Sequence, residues 1–334
     1  MAEHRILVSI PEPLRSRLLT AETLAKLHTL AHLTLNEEGR NWSAEELARH
    51  LPGHDVLLAS WGLARLTPEV LQGADRLRLV AYAAGSVKGF ATDALFERGI
   101  IITHAAARIA DSVAEMALLL ALVGLRRVHE FDRRMKSGEL WPKDLEAKTF
   151  EIRGKRVGLL GMGYVGQRTA RLFQAVGAEV WCYDPYLSPS VASALGVRQA
   201  TLDELLSQCP IVSVHLPITE ETHHLIGARE LALLQDGALF INTARAWVVD
   251  GEALLCELET GRIWAALDVF DEEPLPLDSP LRRLENVLLT PHVAGQTVDS
   301  YQGLGECMAR EIERFFHGQP LQYSVSREAL ARMA

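Results

Sequence analysis

Short apolar runs alternate with amphipathic stretches along nearly the whole chain, the pattern of βα repeats that assemble a parallel sheet. The first third predicts strands over 5–9, 56–59 and 79–83, with helices near 21–30 and 68–72. Residues 111–135 then break the rhythm as one long helix, capped by Asp111 or Ser112 and too densely apolar to face solvent, a natural connector between two domains. A charged segment over 136–155, holding Trp141-Pro142, leads into strands over 157–160, 179–183, 211–215, 239–243, 264–268 and 287–290. Strands alternating with helices in this way predict a doubly wound sheet. A last helix over 298–317, stopped by Gly318-Gln-Pro320, has no sheet of its own to complete and is expected to pack on the first domain.

Composition narrows the class. A chain of 334 residues, 48% hydrophobic and 23% charged, is long enough for two ordinary domains with packed cores. Lys and Arg total 34 against 43 Asp and Glu, and no basic block stands out from the net charge of −9, so nucleic acid is not an expected partner. Cys182, Cys209, Cys256 and Cys307 form no C-x-x-C pair and read as thiols of a reducing cytosol. The start of the chain lacks a leader pattern, and the strongest apolar run, 116–125, is about half of what a bilayer needs. The expectation is a soluble cytoplasmic protein without membrane contact. His28, His32, His50 and His54 carry no ligand spacing and read as scattered surface histidines, so no metal is expected.

Chemistry enters with Gly161-Met-Gly163-Tyr-Val-Gly166, which follows a buried-looking strand, opens an amphipathic helix and precedes a second strand ending at Asp184. In that context the glycines read as a dinucleotide turn. Gly161 permits the bend, Gly163 lets backbone approach a pyrophosphate, and Gly166 lets the helix pack on the sheet. Asp184 is placed to accept from ribose hydroxyls and to repel a 2′-phosphate, which favours NAD over NADP.

Further along, Arg245, Glu273 and His292 each come just after a predicted strand. The carboxyl ends of parallel strands share one edge, so these groups should gather beside the dinucleotide turn. A guanidinium grips a planar carboxylate, a protonated imidazole neutralises a developing alkoxide, and a carboxylate on its other nitrogen fixes the tautomer.

With these motifs the chain resembles the D-isomer-specific 2-hydroxyacid dehydrogenase family over nearly its full length. The matching stretches are Asp111-Ser-Val-Ala-Glu115, the glycine turn with Asp184, Val214-His-Leu-Pro217, Asn242-Thr-Ala-Arg245 with Val249-Asp250, Ala266-Leu-Asp268-Val-Phe with Glu273-Pro274, and Thr290-Pro-His292. The resemblance implies an α/β fold of two doubly wound domains, a Rossmann NAD-binding domain (111–296) inserted into a flavodoxin-like substrate domain (1–110 and 297–334). It implies hydride transfer between NAD and a 2-keto acid/(R)-2-hydroxy acid pair. Arg245 would bind the substrate carboxylate, His292 would be the acid/base and Glu273 would orient it. It also implies that Asp268 holds the nicotinamide amide, and that Tyr164, Val165, Leu216, Thr222, Thr243, Ala244, His292 and Gly295 line the cofactor. A homodimer is implied, with the helix bearing Asp111 and the Trp141 segment at the contact.

Two departures stand out. The family's glycine-rich loop with an Asn or Asp pair is replaced by the shorter Ala84-Gly-Ser86-Val-Lys88-Gly-Phe90, in which Ser86 and Val87 offer backbone N–H groups to a carboxylate and Lys88 adds a positive charge. Ala246-Trp247 follow Arg245 where the family commonly has glycine, and Trp264 fills a usually small position; both Trp residues are expected in the core or a subunit contact. Lys88 alone supports phosphite-type oxidation on the same scaffold, and an NAD-sensing, corepressor-like binding protein is the non-enzymatic alternative.

Overall fold

The structure is a computed structural model that describes residues 4–333, with the side chains of 145, 147 and 332 outside the description. The chain divides into two compact units, Met1–Ile109 with Gln296–Ala334, and Ala110–Gly295.

The first unit is built on β1 (Arg5–Val8), β2 (His32–Leu35), β3 (Val56–Ala59), β4 (Leu79–Tyr82) and β5 (Ile101–His104), paired in parallel in the order β2-β1-β3-β4-β5. This is the flavodoxin-like order of doubly wound sheets. Successive residues alternate between two cores: Leu7, Leu57, Val80 and Ile102 face one, while Ile6, Val8, Leu58 and Ala81 face the other. Burial on both faces is why the inner strands read as uninterrupted apolar runs.

The structure adds β2 and β5, which the apolar pattern did not show. β2 is an edge strand with every residue at least partly exposed, so His32 and Thr34 dilute its signal. The helix expected near 68–72 is only a run of turns, with Leu71 N–H on the Thr67 carbonyl at 3.0 Å; a segment this short cannot repay helix nucleation by itself. A short strand, Ser324–Val325, pairs antiparallel with β5. It is set by Glu311, 1% exposed, whose carboxylate accepts from the N–H groups of Gln322 and Tyr323 at 3.0 Å each.

The long helix expected over 111–135 is corrected to two. Ala106–Arg126 ends at Arg127, which takes a left-handed φ of 49°, and Val128–Lys136 resumes. Asp111 and Ser112 therefore lie inside the first helix rather than at its start; the Asp111 carboxylate pairs with Arg168. Arg127 stays at the break because its guanidinium stacks 3.4 Å over the Trp264 ring and its Nε donates to the Lys148 carbonyl at 3.0 Å.

The second unit carries seven parallel strands: β6 (Arg156–Leu160), β7 (Glu179–Tyr183), β8 (Arg198–Gln199), β9 (Ile211–Val214), β10 (Leu239–Asn242), β11 (Trp264–Leu267) and β12 (Val287–Leu289). Their order is β12-β11-β10-β9-β6-β7-β8, with every recorded pair parallel. Only β8, two exposed polar residues at the edge, escaped the sequence reading. The chain reverses its winding at β6, and the crevice opened there at the carboxyl edge is where such sheets bind ligands.

No helix among the described residues is long and apolar enough to cross a membrane, and all four cysteines are unpaired. His50 stacks on Trp42 at 4.2 Å, and His54 is tied to the Pro52 carbonyl and the Thr34 hydroxyl. Among the described residues no group of three or more His, Cys, Asp or Glu is arranged to hold a metal.

The helix Val298–Phe316 packs on the helix Leu14–Leu18 at Gly305, where an added Cβ would lie 1.8 Å from the Leu18 carbonyl oxygen. Backbone cannot yield as a flexible side chain can. Gly305→Ala should therefore destabilise the first unit by about 1–3 kcal/mol, read as a lower urea midpoint; an unchanged midpoint would contradict this packing.

Candidate active site

The glycine turn follows β6, and each glycine meets a different constraint. Gly161 has φ +96°, and a Cβ there would lie 2.7 Å from the His215 carbonyl oxygen. At Gly166 a Cβ would lie 2.1 Å from the Gly161 carbonyl oxygen, so this glycine lets helix Tyr164–Ala175 sit against the turn. Gly163 is the opposite case: nothing lies within 4 Å of its Cβ position, and the helix it begins has no side-chain cap. Open space over an uncapped helix start is the shape a pyrophosphate fits.

Asp184 closes the same crevice. Its Oδ2 accepts from Met162 N–H and its Oδ1 from Tyr186 N–H, each at 2.8 Å. A carboxylate has about four acceptor sites, so capacity for ribose hydroxyls remains. The Thr243 hydroxyl after β10 is buried without a partner. The His215 ring after β9 holds Ser213 Oγ at 3.0 Å through Nε2, and burial pushes its pKa down to about 3, so it is neutral. A nucleotide fits this cradle without requiring a further charge from the wall.

The reacting edge is built from the strands on the other side. After β10, the Asn242 amide donates to the Arg245 carbonyl and its oxygen accepts from Ala244 N–H, both at 3.0 Å, which shapes the turn bearing Arg245. Arg245 Nη1 donates to the Ala244 carbonyl at 2.6 Å. Burial pushes the Arg245 pKa down while the charge of Glu273 opposes it. After β11, Glu273 Oε1 accepts from Phe270 N–H at 3.0 Å and Oε2 faces His292 Nδ1 at 2.7 Å. Burial works to raise the Glu273 pKa, but its bonds to His292 and Phe270, with the charges of His292 and Arg245, hold it below the ordinary carboxylate value. An ionised carboxylate only accepts, so Nδ1 must carry the hydrogen and Nε2 becomes the nitrogen that gains or loses a proton.

The loop that carries His292 is anchored by Asp268, which is 0% exposed. Asp268 Oδ1 accepts from the Thr290 hydroxyl at 2.5 Å and Val293 N–H at 3.0 Å, and Oδ2 accepts from Ala294 N–H at 2.9 Å. These bonds hold His292 at a left-handed φ of 52°, a conformation a non-glycine residue keeps only when its surroundings enforce it.

The remaining expected residues divide by what their side chains do. Leu216 is 6% exposed beside Gly161, and Tyr164 is 46% exposed at the helix start, where Val165 follows it. Thr222 turns its hydroxyl inward, donating to the Pro217 carbonyl at 2.7 Å, so that side chain braces its own loop. Ala244 adjoins the Asn242 brace, and Gly295 follows Ala294 on the Asp268-held loop. Of the positions expected for Trp247, the core is excluded: it is 43% exposed, with its indole N–H on the Thr219 carbonyl at 3.2 Å. In the first unit Val87 is fully buried in the core, Ser86 and Lys88 are half-buried, and burial pushes the Lys88 pKa down. Sequence reasoning missed His104 at the end of β5, whose Nδ1 lies 2.9 Å from the Gly85 carbonyl and braces that loop, and it read Asn242 only as part of the Arg245 motif, not as the brace of that turn.

A dinucleotide cradle with a guanidinium, a carboxylate and an imidazole on one edge of a doubly wound sheet defines the class of nicotinamide-dependent oxidoreductases. Comparison with known proteins then specifies the branch. Residues 116–294 match the model of the D-isomer specific 2-hydroxyacid dehydrogenase NAD-binding domain, and the chain belongs to the D-isomer specific 2-hydroxyacid dehydrogenase family. It is 33% identical over 327 residues to a glyoxylate reductase of Thermofilum pendens, covering 96% of each chain. It is 34% identical over 288 residues to a D-3-phosphoglycerate dehydrogenase of Archaeoglobus fulgidus, covering 85% of this chain and 54% of that relative. The chain thus spans about half the length of the archaeal phosphoglycerate dehydrogenases it matches. The crystal structure of D-mandelate dehydrogenase from Rhodotorula graminis superposes with a TM-score of 0.85 at 22% identity, covering 97% of this chain and 98% of that one, a likeness of fold.

Asp268→Asn should loosen the His292 loop, because an amide offers hydrogens where the site supplies donors. The expected cost is about 1–3 kcal/mol, with faster hydrogen exchange at the Val293 and Ala294 amides. Unchanged exchange there would show that the carboxylate does not anchor the loop.

Proposed function

We propose that this protein transfers a hydride between NAD(H) and a small 2-keto acid/(R)-2-hydroxy acid pair. The observation that carries the reading is the His292 Nδ1 to Glu273 Oε2 contact of 2.7 Å on the edge that also bears Arg245. Arg245 binds the substrate carboxylate in a charge-assisted, forked contact that turns the carbonyl carbon toward the cofactor. His292 Nε2 delivers a proton to the oxygen as the carbonyl is reduced, and takes it back in oxidation. Glu273 keeps the ring in the tautomer that leaves Nε2 for this work. Relatives named glyoxylate reductase and phosphoglycerate dehydrogenase support a small polar keto acid as the substrate class.

The nicotinamide dinucleotide, when bound, supplies or accepts the hydride. Gly161, Gly163, Gly166, Tyr164 and Val165 would hold its pyrophosphate side, with Leu216, Thr222, Thr243, Ala244, Asp268, His292 and Gly295 along the rest of the crevice. Asp184 would take the adenosine ribose hydroxyls, which makes NAD the expected form.

The test is NADH oxidation with glyoxylate, hydroxypyruvate, pyruvate, 2-ketoisocaproate and phenylpyruvate. At least one should turn over, and His292→Gln should lower kcat by about 10² to 10⁴ with NADH binding retained. NADH bound without turnover on any acid would sink the reading. Reduction consumes a proton, so its rate should fall as pH rises and oxidation should rise. Glu273→Gln should lower kcat with NADH binding retained, because an amide can present its N–H to Nδ1 and no longer fixes the tautomer; an unchanged kcat would remove Glu273 from the mechanism.

The protein is further proposed to be a homodimer. Leu119, Val128, Leu140, Trp141 and Phe150 are 52%, 53%, 90%, 66% and 49% exposed, an apolar burden that a partner copy would cover. Sedimentation should give a dimer that Trp141→Asp weakens; a wild-type monomer at micromolar concentration would rule it out.

A further inference from the structure

β6 lies between β7 and β9, so the loops after β7 and β9 flank the glycine turn on its two sides. A side-chain hydrogen bond joins these loops: the Tyr186 hydroxyl donates to Glu221 Oε2 at 2.6 Å. Tyr186 is also tied at its backbone, where its N–H donates to Asp184 Oδ1 at 2.8 Å. Asp184, Tyr186 and Glu221 are therefore one connected chain spanning the adenosine end of the crevice.

Glu221 is held from its own side as well. It sits in the single turn Glu220–Thr222, closed by the Thr219 N–H on Thr222 Oγ1 at 2.9 Å and the Thr222 N–H on Thr219 Oγ1 at 3.2 Å. Among the described residues no Lys or Arg pairs with Asp184 or Glu221, although ion pairs are frequent elsewhere on this unit's surface. Tyr186 thus links the two carboxylates, its N–H to Asp184 and its hydroxyl to Glu221. A side chain without a role here would be free to swing into solvent; the tyrosine hydroxyl prevents that.

We propose that Glu221, positioned by Tyr186, is a second cofactor-selecting carboxylate beside Asp184. The inference rests on the dinucleotide reading of the crevice and adds a residue to it. Asp184 distinguishes the cofactors at the ribose hydroxyls; Glu221 places a second negative charge on the approach that a 2′-phosphate, itself close to doubly charged, must take. Like charges repel over several ångströms at a protein surface and are screened by salt. Selection against the phosphorylated dinucleotide should therefore come from both residues and weaken with ionic strength.

The experiment is calorimetric titration of the full chain with NAD⁺ and with NADP⁺ at low and high salt, for the wild type, Glu221→Gln, Tyr186→Phe and Asp184→Asn. Glutamine keeps an oxygen for the Tyr186 hydroxyl and removes only the charge. Glu221→Gln should raise the affinity for NADP⁺ relative to NAD⁺ about tenfold at low salt, with the gain shrinking at high salt. Tyr186→Phe, which releases Glu221 into solvent, should move the ratio the same way by less. A ratio within twofold of wild type in Glu221→Gln, while Asp184→Asn shifts it, overturns the role of Glu221 and leaves the NAD reading intact. No shift in Asp184→Asn, equal binding of both cofactors by the wild type, or binding of neither overturns the NAD reading, and this inference falls with it.

Discussion

Parallel pairing is the constraint on which the rest depends. Because β6 and β9–β12 run in one direction, the residues that follow them emerge at one edge whatever their separation along the chain. Gly161, His215, Arg245, Glu273 and His292 come from different segments, and no local interaction in the unfolded chain would bring them together. The sheet does so through backbone bonds that carry no information about chemistry. Loops at that edge can then differ in side chains while the strands stay buried on both faces.

What the sheet delivers only roughly, buried carboxylates and amides refine. Asp268 gathers the loop of His292 with both its oxygens, Asn242 shapes the turn of Arg245, Glu311 sets the carboxyl-terminal strand, and Asp184 ties the glycine turn to the loop after β7. In each case a side chain takes the place of a missing backbone partner where the chain leaves regular structure. Such groups are costly to bury unsatisfied and strong when matched, so each acts as a local lock. The left-handed backbone of His292 is the visible consequence.

The electrostatic character of the second unit's edge follows the division of labour along it. Toward β12 and β11, the depressed Glu273 carboxyl and the half-buried Arg245 guanidinium surround an imidazole with opposite charges. On the β7 and β9 side Asp184 and Glu221 are joined through Tyr186. Between them His215 is neutral because burial has removed its ability to charge.

The pattern of apolar runs was enough to place every inner strand of the second sheet and β1, β3 and β4 of the first, since strands buried on both faces leave an uninterrupted signature, and glycines at a strand-to-helix turn carry their spacing in plain view. The same reading named Arg245, Glu273, His292 and Asp184, because each stands just past such a strand. It could not see β2, β5 or β8, whose signatures are short, exposed or polar, and it ran the helices before and after Arg127 together, because the stacking of that guanidinium on Trp264 is a contact between residues far apart in sequence. Asp268 was visible as a residue type beside a strand, but its bonds to Thr290, Val293 and Ala294 exist only once β11 and β12 lie side by side. Sequence alone determines what is periodic or punctuated by backbone need; long-range hydrogen bonds and ring contacts depend on distances that only the folded sheet defines.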